Sequence, residues 1–226
     1  MTVLLIPGLL CDGFVWEPLT SRFDAAVADL TTQNSLTDMA YECLAAHPGA
    51  LRIAGHSMGA RVAMEIARIA PERVERMALL DTGAHPLAKG EAARREDIVR
   101  FAYDNGMEAL AERWLPQMVY APNRENAALM RGLKAMVLRC DADLHARQIQ
   151  ALVNRPDATA YLSTLNCPTL LVVGRHDAWS PLGQHEEMAR QLPDARLTVI
   201  EDAGHFAPIE QPRAVCGVLE PFLTGA

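Results

Sequence analysis

The chain has 226 residues, half of them hydrophobic, and carries 28 Asp and Glu against 21 Lys and Arg for a formal net charge of −7. That length supplies one α/β domain, with or without an insert, and buries enough surface to need no disulfide or metal staple. No run of about 18 apolar residues marks a transmembrane helix, and no basic cluster is long enough to follow a phosphate backbone, which argues against nucleic acid as a partner.

The first segment, Met1-Thr2-Val3-Leu4-Leu5-Ile6, is apolar, has no basic region ahead of it and runs straight into Pro7-Gly8. It is expected to be a strand and not a signal peptide. Short apolar runs separated by helical patterns then predict a doubly wound, mainly parallel α/β sheet of about six strands, over 3–6, 25–30, 51–54, 74–80, 169–173 and 197–201. Helices are predicted between them over 16–23, 36–46, 58–70, 182–192 and 214–223. In the helix over 58–70, Met58, Val62, Ile66 and Ile69 make an apolar stripe. Arg61, Glu65, Arg68 and Glu72 fall opposite, where Arg61 with Glu65 and Glu65 with Arg68 are spaced to pair, and Pro71 stops the helix. Before the helix over 182–192, Ser180 is a candidate cap and Pro181 suits the first helical position.

The interval 86–160 shows helical periodicity over 91–103, 107–119, 124–138 and 142–152, and no strand. Between His85 and Asn166 there are eleven Lys and Arg against ten Asp and Glu, which leaves ten against eighteen elsewhere. This interval is near +1 and the remainder near −8. The expected organisation is therefore a core of 1–85 and 161–226 with a helical cap, 86–160, inserted over the C-terminal strand ends, where open parallel sheets bind ligands. A helical extension with only a packing role is the alternative. The cysteines, Cys11, Cys43, Cys140, Cys167 and Cys216, are odd in number and include no C-x-x-C pair. This predicts reduced thiols in a cytoplasm and no zinc site. Cys11 is read as a small buried hydrophobe.

Gly55-His56-Ser57-Met58-Gly59 lies between the strand at 51–54 and the following helix. That is the sequence form of a nucleophile elbow, with glycines on either side of a serine held at a sharp strand-to-helix turn. Attack by a hydroxyl needs a base to take its proton and donors to hold the oxyanion. His205, in Ala203-Gly204-His205-Phe206 after the last strand, is the base candidate. His56 is expected to point away along the chain, His176 precedes the acid candidate, and His47, His85, His145 and His185 lack a glycine-preceded strand-end context. Asp177, at the end of the strand over 169–173, is the carboxylate candidate for orienting the imidazole. Asp81, at the end of the strand after the nucleophile helix, is its competitor.

The order Ser57, Asp177, His205, with the segments Cys167-Pro168-Thr169-Leu170-Leu171-Val172-Val173-Gly174-Arg175-His176-Asp177 and Ala203-Gly204-His205-Phe206-Ala207-Pro208, resembles the α/β-hydrolase fold superfamily. The chain is most similar to its small, capped, cofactor-free serine esterases. The resemblance implies a serine hydrolase that cleaves an ester through an acyl-enzyme, with no metal or organic cofactor and a small ester-like molecule as its partner. Thioesters, lactones and C–C bonds are alternative substrates on the same residues, and a non-catalytic ligand-binding member is the other class. The resemblance also implies an oxyanion hole from the amides of Met58 and Leu9, with Leu10 as the alternative. The chain departs from many relatives by having Pro7-Gly8 where they have His-Gly. It also begins at what would be the family's third strand, so the fold is expected to lack the first two, with a homodimer along that edge as a hypothesis. Leu10, Trp114, Met118 and Phe206 are candidate substrate contacts, and Phe101, Tyr103, Tyr120 and Met136 further candidates for pocket lining.

Overall fold

The computed structural model describes residues 1–225. Six strands, β1 (Thr2–Ile6), β2 (Ala26–Val27), β3 (Leu51–His56), β4 (Val74–Leu80), β5 (Thr169–Gly174) and β6 (Ala195–Ile200), form one sheet in the order β2-β1-β3-β4-β5-β6. Every pairing is parallel. The sheet is covered on both faces, so its central strands are continuous apolar runs. Alternate residues feed two separate layers. Leu4, Ile53, Met77 and Leu171 pack on one side with Met39, Met64 and Met188. Leu5, Ala54, Leu80 and Val172 pack on the other with Leu19, Leu115 and Leu219. Each such Leu or Ile, fully buried, contributes about 1.5–3 kcal/mol.

The helices are α1 (Glu17–Thr20), α2 (Leu36–Ala46), α3 (Met58–Ile69), α4 (Glu91–Met118), α5 (Ala127–Leu138), α6 (Ala142–Val153), α7 (Leu182–Gln191), α8 (Ala207–Glu210) and α9 (Pro212–Thr224). The segment between β4 and β5 holds α4 to α6 and no strand. Its side chains join both layers, Ala151 and Leu152 with the first and Leu115 and Met136 with the second.

Several elements differ from the sequence expectation for local reasons. The strand expected over 25–30 keeps only Ala26 and Val27, because the Asp29 carboxylate accepts from both the amide and the hydroxyl of Thr31 and turns the chain. The helix expected over 16–23 is a 3-10 turn, Gly13–Trp16, followed by α1, whose first turn admits Pro18. The pair expected over 91–103 and 107–119 is one long helix broken at a single residue, Gly106, with φ 82 and ψ 168. At α7 the expected cap is replaced. Pro181 is extended and stands before the helix, and the Ser180 amide goes to Asp177 Oδ1. On α3, Glu65 pairs with Arg68 as expected, but Arg61 does not pair with Glu65. Both Arg61 and Glu65 are buried because α3 is covered on its far side as well.

In a parallel sheet all C-terminal strand ends lie on one edge. The order of connection reverses between β1 and β3, and in such sheets the crevice at that point receives ligands. Ser57 sits there, directly after β3.

Candidate active site

The turn after β3 is tight because Ser57 adopts φ 54 and ψ −114, a left-handed conformation that side chains rarely take. Its amide donates to Leu80 O at 2.8 Å, and its carbonyl accepts from Thr82 Oγ1 at 2.9 Å, so β4 holds the turn in place. Both flanking glycines are required. A Cβ on Gly55 would collide with the backbone of Gly59 and Ala60, and one on Gly59 with the carbonyls of Ile6 and Pro7.

The three side chains singled out at the strand ends meet. His205 Nε2 lies 2.8 Å from Ser57 Oγ, and His205 Nδ1 lies 2.8 Å from Asp177 Oδ2. The other Asp177 oxygen accepts from the amides of Trp179 and Ser180 at 2.8 and 2.9 Å. Burial pushes the Asp177 carboxyl up, but the His205 ring and these two amides outweigh it and hold the group below the ordinary carboxylate range. Asp177 is therefore an anion facing Nδ1. That favours the tautomer with Nδ1–H donating to Asp177 and Nε2 free to accept from Ser57.

Asp81 does not enter this chain. Its Oδ1 accepts from Gly174 N at 2.9 Å, and Oδ2 has no hydrogen-bond partner among the described residues. Burial, with the negative charge of Asp177 close by, raises its carboxyl well above the ordinary range.

His56 departs from the expectation. Instead of pointing away, its ring lies 5.3 Å from that of His205 and stacks on Phe206 at 5.6 Å. Its Nε2 is 2.7 Å from the His205 carbonyl oxygen. Burial, and then the neighbouring His205, push it down to about 3, so it is neutral and Nε2–H is the donor.

Sequence reasoning missed two further supports. Glu210 Oε1 accepts from the amides of Gly204 and Phe206, and Oε2 from Tyr120 N and Asn123 Nδ2, so one carboxylate clamps the His205 loop to the insert. Gln148, on α6, accepts from Leu10 N at 2.9 Å and donates to Leu30 O. The bonds of Glu210 to Tyr120 and Asn123 and those of Gln148 join residues far apart in sequence with no shared periodicity. Only the helix position of Gln148, a polar residue amid an apolar stripe, gave a signal.

The Gln148 contact removes the Leu10 amide as a free donor. Leu10 itself is buried with φ 56. Among the described residues no acceptor is bonded to the amides of Leu9 or Met58. The Met58 amide opens α3, where no intrahelical carbonyl is available and the helix dipole favours negative charge.

Ser57 opens into a cavity of about 650 Å³. Leu9, Leu10, Met58, Trp114, Met118 and Phe206 all line it, with Trp114 edge-on to Phe206 at 6.0 Å. Four other expected lining residues do not. Tyr103 is exposed, Met136 is in the core, Tyr120 stacks on His176 at 4.0 Å, and Phe101 lies under Arg113. Cys11 lines the cavity and donates its thiol to Leu9 O, and burial pushes its pKa far up. All five cysteines are free, and among the described residues no three His, Cys, Asp or Glu side chains are grouped to hold a metal. No helix among them is long and apolar enough to cross a membrane.

Residues 3–218 match the sequence model of the Alpha/beta hydrolase family. A pimeloyl-[acyl-carrier protein] methyl ester esterase of Chromobacterium violaceum is 32% identical over 204 residues, covering 84% of this chain and 72% of that protein. Among solved structures, a thermophilic esterase from Thermogutta terrifontis superposes with a TM-score of 0.89 at 27% identity, over 100% of this chain and 90% of that one. An enol-lactonase from Burkholderia xenovorans gives 0.88 at 22% identity, over 98% and 90%. The parallel sheet, the helical insert and the matches over nearly the whole length lead to one conclusion: the chain belongs to the alpha/beta hydrolase family and is a hydrolase of that fold.

Proposed function

We propose that the protein is a serine hydrolase that cleaves a carboxylic ester of a small or medium-sized substrate through an acyl-enzyme. The observation that carries this reading is the unbroken relay Ser57 Oγ–His205 Nε2 and His205 Nδ1–Asp177 Oδ2, 2.8 Å at each step, at the floor of a cavity. Ser57 Oγ attacks the ester carbon as His205 Nε2 takes its proton. The amides of Met58 and Leu9 hold the oxyanion, a term worth about 10²–10³ in rate per donor. As the tetrahedral adduct collapses, the C–O bond to the leaving alcohol breaks, and that oxygen receives the proton from His205. Water, deprotonated by the same ring, then attacks the acyl carbon and releases the acid and free Ser57. Asp177 keeps the imidazole in the right tautomer and stabilises the imidazolium.

In this reading the segment 86–160 is a cap. Its Trp114 and Met118 roof the cavity, its Met118 carbonyl accepts from His205 N at 2.7 Å, and its Gln148 orders the loop after β1. A volume of about 650 Å³ falls within the span of roughly 300–1,000 Å³ typical of small-molecule sites. A dimer along the short β2 edge belongs to the same reading, and light scattering that returns a monomer mass at every concentration removes it.

The test is hydrolysis of p-nitrophenyl esters from acetyl to dodecanoyl, with Ser57→Ala as control and a fluorophosphonate probe for Ser57. Activity and labelling lost in Ser57→Ala support the acyl-enzyme. Equal activity in both proteins rejects Ser57. Labelling without turnover of any ester moves the assignment to a thioester, lactone or C–C substrate, and absence of both moves it to a ligand-binding role.

A further inference from the structure

The far wall of the cavity carries a charge imbalance that ester cleavage itself does not use. Arg61, Arg95 and Arg155 line it together with a single carboxylate, Glu91. Glu91 is shared by two of them. Arg155 donates to both of its oxygens at 2.9 and 2.7 Å, and Arg95 Nε donates to Oε1 at 2.7 Å. The remaining Arg155 contacts go to the carbonyls of His85, Pro86 and Leu152, so that guanidinium is fully engaged. Arg61 has no carboxylate within ion-pair distance among the described residues, and its one bond runs from Nη1 to His85 O at 3.1 Å. It is nevertheless only 9% exposed.

Burial, then Arg155 and Arg95, push the Arg61 guanidinium down to about 9 against the weaker attraction of Glu91, so at neutral pH it remains a cation with no carboxylate in ion-pair contact among the described residues. A buried unpaired charge is costly and is the kind of group that a bound partner of opposite sign completes. His145 adds a second observation. It lines the same cavity, is 2% exposed, and its Nδ1 has no hydrogen-bond partner among the described residues. Burial and then Arg95 push it down to about 4, so it is a neutral imidazole beside the arginines. Arg94, Arg113 and Asp97 line the cavity too, making five guanidiniums against two carboxylates in all. Arg61 stands in the first turn of α3, four residues after Ser57, about 6 Å along the helix axis at roughly 1.5 Å per residue.

We propose that the Arg61 corner binds a carboxylate carried by the substrate itself, so that the enzyme acts on half-esters of short dicarboxylic acids, with the ester carbon at Ser57 and the free carboxylate on Arg61. A guanidinium matches a carboxylate with two parallel N–H donors, which fixes the far end of the substrate as well as attracting it. The assignment rests on the ester-hydrolase reading and adds the substrate class to it.

The experiment compares monomethyl adipate with dimethyl adipate, the latter corrected for its two equivalent ends, in the wild type, Arg61→Gln and Arg61→Lys, each checked by thermal melting. The expected kcat/KM ratio favours the half-ester at least about tenfold in the wild type. It falls to near one in Arg61→Gln and is partly restored in Arg61→Lys. In parallel, Ser57→Ala is titrated calorimetrically with the same two esters, which it cannot cleave by the proposed route. Tighter binding of the half-ester, lost on adding Arg61→Gln, supports the site whether or not the wild type turns over. A wild-type ratio near one with ester turnover intact, or a preference that survives in folded Arg61→Gln, overturns the carboxylate site and leaves the ester-hydrolase reading standing. Failure to label Ser57, together with Arg61-dependent binding, does the reverse.

Discussion

The two walls of the cavity are built by different means. On the sheet side, Ser57, Asp177 and His205 each sit in a loop whose backbone is bonded to another strand end or loop, as Ser57 N is to Leu80 O and His176 N to Ala203 O. On the insert side, Arg95 and Arg155 share one carboxylate side chain, Glu91, as their only ion-pair partner among the described residues, and Arg155 adds bonds to the carbonyls of His85, Pro86 and Leu152. Backbone bonds follow from the fold and survive most substitutions. A side-chain cluster can change with one residue while the sheet remains intact. The wall that would carry out a reaction is thus fixed, and the wall that would choose among substrates is adjustable, which is how one fold serves many substrates.

The largest expected effect tests the fixed wall. Asp177→Asn places an amide where His205 Nδ1–H needs an acceptor and turns the ring to the wrong tautomer, so kcat should fall about 10³–10⁴-fold with little change in melting temperature. Asp81→Asn should cost far less, because Asp81 does not reach His205. A larger loss in the Asp81 variant than in the Asp177 variant would exchange their roles.

The adjustable wall should fail in stability first. Glu91→Gln leaves the buried Arg155 guanidinium without its counter-charge, which costs about 3 kcal/mol in unfolding by denaturant. Burial raises the Glu91 carboxyl, but Arg155, the Ala88 amide and Arg95 outweigh it and bring it down to about 2. A carboxyl lowered on folding gives its full stabilisation above its unfolded value near 4.5, and that is lost as the pH falls toward about 2. The gap between wild type and Glu91→Gln should therefore be constant above pH 5 and narrow between about 4.5 and 2. A gap that stays constant down to pH 2 would remove Glu91 as the charge that holds this wall.

This division also explains what was legible in the sequence. The six parallel strands, the helix over 36–46 and the approach of Ser57, Asp177 and His205 rest on local signals: apolar runs, glycines at forced turns, and a fixed order along the chain. The sequence places Arg61 opposite the apolar stripe and in pairing distance of Glu65, because a helical stripe describes only the face that meets the sheet. Nothing in periodicity says that an insert thirty residues later covers the other face. The same blindness hid Gln148 and Glu210, whose contacts span 138 and 90 residues. The direction of His56 escapes the sequence for a different reason, since strand alternation near a strained elbow does not give the direction of a side chain.

Gln148→Ala links the two walls and should have an intermediate effect. It leaves the buried Leu10 amide without an acceptor, at about 1–3 kcal/mol in stability. The loop carrying Leu9 would then be free to shift, and kcat should fall about tenfold with KM less affected. A fall in stability with unchanged kcat would show that the loop keeps its position without Gln148.

The smallest effect belongs to Cys11, which lines the cavity yet belongs to neither wall's chemistry. Burial, and then the nearby Cys140, push its thiol far above the ordinary range, so almost none is thiolate at pH 8, and the thiolate is the reactive form. Iodoacetamide at pH 8 should alkylate native Cys11 far more slowly than the same residue in denaturant, and ester hydrolysis should persist during the exposure. Cys11→Ala should change kcat/KM by no more than about twofold, since the thiol's one bond, to Leu9 O, leaves the Leu9 amide free. Rapid inactivation with modification mapped to Cys11 would mean that the loop after β1 opens in solution. The Leu9 side of the cavity would then be mobile, and the contrast between a fixed and an adjustable wall would have to be redrawn there.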